Sequence, residues 1–384
     1  MGFPFRNQTM RAVVQRGAFH YPVEDVPIPA PGPGEALIQI EAAGICAGDR
    51  VTYQGLAPWG IDVGVIPGHE SVGVVVALGD GAGEAMGITL GDRVTAEVQI
   101  PCGTCPSCRK GLFNLCEDLS GFLEGGMAQY MLLRKGALVH KVPKSIDKIC
   151  AAMIEPLSCG AYAVERVGVE MKDTVVVSGM GAIGLAALQF AKLRNPMRLI
   201  ALGTNEYNMR LAAEYGADAV LNAREPNIVE QIRALTDGLG CDVYIECAGV
   251  PASVETGVAA LRKRGRMMIY GVYTALAAID LNEIGQNKEL TITGGHLSPG
   301  MMPYVIDCLA RGRIHPEKMV TDILPLEDVD AAMNIRKTNH HNIKTILIPE
   351  GAGQIKEGGA PFGGWLEGGT YENCHYSSLC RTAG

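Results

Sequence analysis

The twenty residues TVVVSGMGAIGLAALQFAKL, at 174–193, limit the fold more than any other part of the chain. They read as a short apolar strand, a turn with Gly179, Gly181 and Gly184 in Gly-x-Gly-x-x-Gly spacing, and an apolar helix. The first glycine permits a tight turn, the second lets the backbone approach a pyrophosphate, and the third allows close packing of helix on strand. The helix N-terminus would then face the phosphates with its partial positive charge. A strand before the glycines and a helix after them favour a dinucleotide site over a plain turn, with Gly179, Gly181, Ala182, Ile183 and Gly184 against the pyrophosphate.

Strand and helix patterns keep alternating after this unit: RLIALGT, EYNMRLAAEYGA, AVLN, IVEQIRALTD, DVYIECAG, GRMMIYGV and LTITGG. Short connections between such elements predict right-handed crossovers and an α/β fold with a parallel, doubly wound sheet ending near residue 295. Upstream, ALIQIEAAGIC and SVGVVVAL are β-branched runs bounded by Pro or Gly, and they predict a β-rich, barrel-like domain. Downstream, MMPYVIDCLARG and EDVDAAMNIRK read as helices and KTILIPE as a strand returning to the first domain. The expected division is 1–155, 156–298, 299–349 and a Gly-rich, mobile extension at 350–384. Cys374, His375 and Cys380 of that extension lack a paired partner motif.

Four cysteines, Cys102, Cys105, Cys108 and Cys116, fall in CGTCPSCRKGLFNLC. Thiolates at this spacing reach one ion from a tight turn, and the fourth closes a tetrahedral shell of structural-zinc type. A disulfide cluster would need an oxidising compartment and usually a small secreted domain with a leader. The run MGFPFRNQTMRAVV has neither an apolar leader stretch nor a myristoylation signal, so zinc is favoured and a cytoplasmic location expected.

The formal charge of −8 argues against a nucleic-acid partner, and without an apolar run of about eighteen residues a membrane span is not expected. A small-molecule substrate is the better expectation. Cofactor choice rests on the second strand of the alternating region. Its end, Gly203, Thr204 and Asn205, holds no carboxylate for a ribose 2′-hydroxyl. It leaves room for a 2′-phosphate, and Arg224 is available to supply charge. NADP is therefore expected over NAD, with Glu206 close enough to support NAD instead. Val272, Tyr273 and His296, at the ends of late strands, are expected beside the nicotinamide or substrate. A second metal set is offered by Cys46, His69, Glu70 and Glu155: thiolate, imidazole and carboxylate are ordinary zinc donors, and a catalytic site keeps one position open.

GIC at 44–46, PGHE at 67–70, the four-cysteine run, EPLSCG at 155–160, GMGAIG and YIECAG occur in the order seen in zinc-dependent medium-chain dehydrogenases, the alcohol dehydrogenase superfamily. The chain resembles that family over about residues 10–349, and within it the polyol branch, most of all erythritol/threitol-type dehydrogenases. The resemblance implies a GroES-like catalytic domain beside a Rossmann domain, and two zinc ions per chain. Catalytic zinc would sit on Cys46, His69 and Glu70, with Glu155 bound directly or through water. The implied reaction is reversible oxidation of a polyol's secondary alcohol with NADP or NAD, in a homo-oligomer, tetramer or dimer. Threonine or inositol-type substrates, and a zinc- and nucleotide-binding relative without turnover, are the alternatives. One departure stands out. The family usually has Ser or Thr two residues after the zinc cysteine, to relay a proton, and here Gly48 occupies that place. Thr52, Tyr53 and a water held by Glu155 are the candidates for the relay, with Tyr53 preferred.

Overall fold

The computed structural model describes residues 5–349. Six parallel strands form one sheet, in spatial order Ala219–Asn222, Arg198–Gly203, Thr174–Ser178, Cys241–Glu246, Leu261–Ile269 and Thr291–Gly294. Numbered along the chain, that order is 3-2-1-4-5-6, the doubly wound arrangement with a crevice where the order reverses. The reversal lies between Thr174–Ser178 and Cys241–Glu246. Both faces are covered, which explains the unbroken apolar run at Val175, Val176 and Val177. Val175 and Val177 enter one core with the helices Ile154–Val167, Ala182–Leu193 and Met302–Ala310. Val176, Ile200 and Tyr244 enter the other, with Ile228–Ala234 and Pro251–Ala260.

The second sheet has seven strands. Six follow in the order Val320–Pro325, Lys344–Ile348, Ala36–Gly44, Glu70–Leu78, Arg93–Ala96 and Val139–Lys141, and Tyr130–Leu133 also pairs with Ala36–Gly44. The closing strand thus returns to the first part of the chain, as its sequence suggested: Ile346 pairs with Gly44, and Gly44 with Glu70 on the next strand. This register brings the start of the last strand beneath the first residues of Glu70–Leu78.

Two details differ from the sequence reading. The helix Ile154–Val167 runs unbroken across the expected boundary at 155/156, and Met302–Ala310 packs in the nucleotide-side core, so the return to the seven-stranded sheet begins at Val320 and not at 299. The strand Val320–Pro325 was not anticipated, because VTDILP has only a weak alternation and ends in proline. Among the described residues no helix is long and apolar enough to cross a membrane. Cys374, His375, Cys380 and the expected mobile extension lie outside the described residues.

Candidate active site and cofactor cradle

Cys46 ends the connection after Ala36–Gly44 and caps the short helix Ala47–Tyr53. Its Sγ accepts the Gly48 N–H at 3.4 Å, while Asp49 Oδ2 accepts the Cys46 N–H at 2.8 Å, a reciprocal capping box. Glu70 opens the neighbouring strand Glu70–Leu78, and His69 directly precedes it. One ligand atom from each of Cys46, His69 and Glu70 lies within 4.8 Å of the others, a spacing that suits a single ion. Glu155, in the first turn of Ile154–Val167, is 5 % exposed and accepts a hydrogen bond from Cys159 Sγ at 3.4 Å.

The electrostatics of this cluster are those of a site short of cations. Burial pushes the Glu155 carboxyl up to about 7, with Glu70 adding to the rise and His69 and Lys344 opposing it. Burial opposes charge on His69, yet its hydrogen bond to Cys46 and the nearby Asp49 and Glu155 raise it well above the ordinary imidazole range. Burial raises Asp49 as well, against the pull of His69. Lys344 enters from the closing strand. Its Nζ donates to Glu70 Oε1 at 2.7 Å and Oε2 at 2.5 Å and to the Ile45 carbonyl at 3.1 Å. A carboxylate has about four acceptor positions, so Glu70 keeps capacity for a metal. Thiolate, imidazole and the Glu70 carboxylate fit a zinc ion, whereas the expected fourth donor, Glu155, is not among the ligand atoms gathered within 4.8 Å of one another.

The four-cysteine run folds as expected from its spacing. All four sulfurs lie within 4.8 Å of one another, with Cys102–Cys108 at 3.9 Å and Cys105–Cys116 at 4.0 Å. A tetrahedron with metal–sulfur bonds of ~2.3 Å has edges of about 3.8 Å. All four thiols are free. Backbone N–H groups of Thr104 and Cys105 bind Cys102 Sγ and bring its thiol down to about 6, whereas burial pushes Cys108 up to about 12. The donor set fits a second zinc ion.

The glycine turn forms the expected cradle. Gly179 has φ +94°, and a Cβ there would stand 2.5 Å from the Ala248 nitrogen; at Gly184 it would lie 1.8 Å from the Gly179 carbonyl oxygen. At Gly181, the N-cap of Ala182–Leu193, a Cβ would meet nothing within 4 Å, and no side chain caps the helix. Open space before uncapped N–H groups, those of Ala182 and Ile183 among them, fits a pyrophosphate. Thr204 is exposed at the end of Arg198–Gly203, and Arg224 is exposed after Ala219–Asn222.

Several expected roles are changed by geometry. The Tyr53 hydroxyl donates to Asp330 Oδ1 at 3.0 Å and accepts from Asn334 Nδ2 at 3.2 Å, so it is tied to the helix Val329–Asn334 rather than to the metal donors. Thr52 Oγ1 donates to the Gly48 carbonyl and accepts from Trp59 Nε1. Asn205 caps Glu206–Glu214 by accepting the Asn208 N–H, and its amide donates to the His340 carbonyl at 2.7 Å, which leaves less for a phosphate than its position suggested. Tyr273 donates to the buried Glu246 carboxylate and so anchors the loop carrying the exposed Val272. The His296 side chain is exposed, and its carbonyl accepts from Asn114 Nδ2 at 2.7 Å.

Sequence reasoning missed Asp49, Lys344 and Asn114. The capping-box spacing of Cys46 and Asp49 was a usable signal for the first. Nothing local marked the other two.

Family models match two segments: an alcohol dehydrogenase GroES-like domain at residues 32–144 and a zinc-binding dehydrogenase at 182–311. The chain is 41 % identical over 355 residues to an erythritol/L-threitol dehydrogenase of Mycolicibacterium smegmatis, covering 89 % of this chain and 98 % of that protein. It is 33 % identical over 349 residues to a sorbitol dehydrogenase of Halalkalibacterium halodurans, covering 88 % and 99 %. Among solved structures, a proposed zinc-binding dehydrogenase of Sinorhizobium meliloti bound to NADP superposes with a TM-score of 0.81 at 32 % identity, covering 89 % of this chain and all of that one.

Proposed function

The chain belongs to the zinc-binding alcohol dehydrogenases of the medium-chain family, in its polyol branch, and from that premise we propose that it oxidises a secondary alcohol of an erythritol- or threitol-like polyol to a ketone with NAD(P). The observation that carries the reading is the meeting of Cys46, His69 and Glu70, one ligand atom of each within 4.8 Å of the others, with the buried Glu155 close enough to act on His69. The reading assigns two zinc ions per chain, one to Cys46, His69, Glu70 and Glu155 and one to Cys102, Cys105, Cys108 and Cys116. When bound, zinc would supply Lewis acidity to the substrate hydroxyl, and the nicotinamide cofactor would supply the hydride acceptor.

The chain's own groups do the rest. Asp49 and the Gly48 N–H hold Cys46 at the helix start, and Lys344 holds Glu70. With Gly48 bare and the hydroxyls of Thr52 and Tyr53 engaged, a water held by Glu155 is the remaining candidate of the three to take the substrate proton. Ala182 and Ile183 present backbone N–H groups to the pyrophosphate. NADP is the favoured cofactor, supported by the lack of a carboxylate at Gly203 and by the exposed Thr204 and Arg224.

A panel of C4–C6 polyols, threonine and inositols, run with NAD and with NADP, tests the proposal. Highest kcat/KM for a C4 polyol with NADP is expected. Preferential turnover of threonine or an inositol would reassign the substrate, and a clear NAD preference would overturn the cofactor choice.

A further inference from the structure

Two side chains flank the space off the Gly48 Cα. A Cβ there would meet Cys46 Sγ at 3.8 Å and Trp59 Cζ2 at 3.9 Å, both ordinary contact distances. The Cys46 thiolate and the six-membered edge of the indole are therefore at most two van der Waals contacts apart. Glycine leaves no side chain between them.

The indole is held in that place. Trp59 Nε1 donates to Thr52 Oγ1 at 3.1 Å, and Thr52 Oγ1 donates to the Gly48 carbonyl at 3.0 Å, so the ring is tied to the helix Ala47–Tyr53 that Cys46 caps. An indole has one donor and no acceptor, and this bond uses the donor. What the ring has left to offer is apolar surface, and Trp59 is 60 % exposed. The metal donors are open only in part: Cys46 and His69 are partly exposed, whereas Glu70 and Glu155 are buried. A ligand of the bound metal must approach past the exposed donors, and the indole stands beside one of them.

We propose that Trp59 is a substrate-contacting residue that sets specificity, the carbon chain of the metal-bound alcohol packing its C–H groups against the indole. Carbon-bound hydrogens next to oxygen are polarised positive and suit an electron-rich ring. The inference rests on the proposed metal at Cys46, His69 and Glu70. It assigns Trp59 to binding, with no part in proton or hydride transfer.

The test uses the zinc-loaded full chain with saturating cofactor and two C4 secondary alcohols, erythritol and 2-butanol, KM being read on each one that the wild type oxidises. Trp59→Ala is expected to raise the alcohol KM about tenfold, the worth of burying roughly two CH₂ groups, while kcat and the cofactor KM stay within about threefold. Trp59→Phe keeps a ring without the N–H and should hold the alcohol KM within about threefold of the wild type. A second readout needs no truncated side chain. The sequence has two tryptophans, so in Trp365→Phe labelled with fluorotryptophan the fluorine NMR signal comes from Trp59 alone. Adding either alcohol to this protein with reduced cofactor, where no turnover occurs, should shift that signal. An unchanged alcohol KM in Trp59→Ala, a loss confined to kcat, or a cofactor KM that rises as much as the alcohol KM would overturn the inference. So would a fluorine signal that does not move at alcohol concentrations above KM. Oxidation of 2-butanol but not of erythritol would overturn the polyol reading alone, and oxidation of neither would overturn both.

Discussion

Replacing Lys344 with methionine should destabilise the protein far more than a surface charge deletion does, because Lys344 is half of a dry ion pair. The side chains of Lys344 and Glu70 are 4 % and 1 % exposed, and Nζ reaches both carboxylate oxygens. Removing one partner strands the other in a low dielectric, at a cost of about 3–5 kcal/mol. The exposed pair Arg311–Asp307, at 69 % and 51 % exposure, supplies the control, and Arg311→Ala should leave stability nearly unchanged. Glu70→Gln combined with Lys344→Met should recover much of the loss, since neighbours in one ion pair do not add. Gly44→Ala should behave like Lys344→Met, because a Cβ there would stand 2.2 Å from Glu70 Oε2 and 3.1 Å from Glu70 Cβ and push the carboxylate off the lysine. Bound zinc stabilises the folded state and offers the stranded carboxylate a cation, so the loss should be largest with chelator present. Urea unfolding followed by circular dichroism, with chelator and with excess zinc, measures this. If Lys344→Met costs no more than Arg311→Ala in both conditions, or if the double variant merely sums the singles, the pair is not the desolvated unit described.

Further outcomes follow from other parts of the molecule. Tyr21 is fully buried, and its hydroxyl has no partner among the described residues, so Tyr21→Phe should leave neutral-pH stability unchanged or raise it by about 1 kcal/mol. Burial, then the charges of Asp49 and Glu124, push that phenol from 10.0 up to about 12. The unfolded chain therefore loses the proton first, and stability that is full below pH 10 should fall as pH climbs through about 12, less steeply in Tyr21→Phe by denaturant unfolding across that range. Cys116→Ser should reduce bound zinc from two ions to one by metal analysis, while KM for the cofactor changes little. Gly48→Ser should fold normally, since a Cβ at Gly48 would sit 3.8 Å from Cys46 Sγ and 3.9 Å from Trp59 Cζ2. A shifted pH dependence of kcat is expected from the added hydroxyl, and an unchanged profile would show that it joins no proton path.

Local chemistry was readable from the sequence, and long-range pairing was not. The glycine turn, the four-cysteine run and the apolar strand Val175–Val177 depend on neighbours within a few residues, and they lie where their spacing put them. Lys344 meets Glu70 across 274 positions, and no pattern in KTILIPE marks its lysine as buried. Tyr53 stood close to Cys46 in sequence, yet its helix turns the hydroxyl toward Asp330, 277 residues on. Asn114 read as part of a metal loop, and its bond to the His296 carbonyl, across 182 positions, has no local signal in the sequence.

The most direct test of the central claim follows the hydride itself. A C4 polyol carrying deuterium on its secondary carbinol carbons is incubated with the zinc-loaded protein and oxidised cofactor, and the reduced cofactor is examined by NMR. Deuterium at nicotinamide C4 with the wild-type chain, and none with Cys46→Ser, is the predicted result. Zinc-loaded wild-type protein that leaves the cofactor free of deuterium would contradict the proposed hydride transfer.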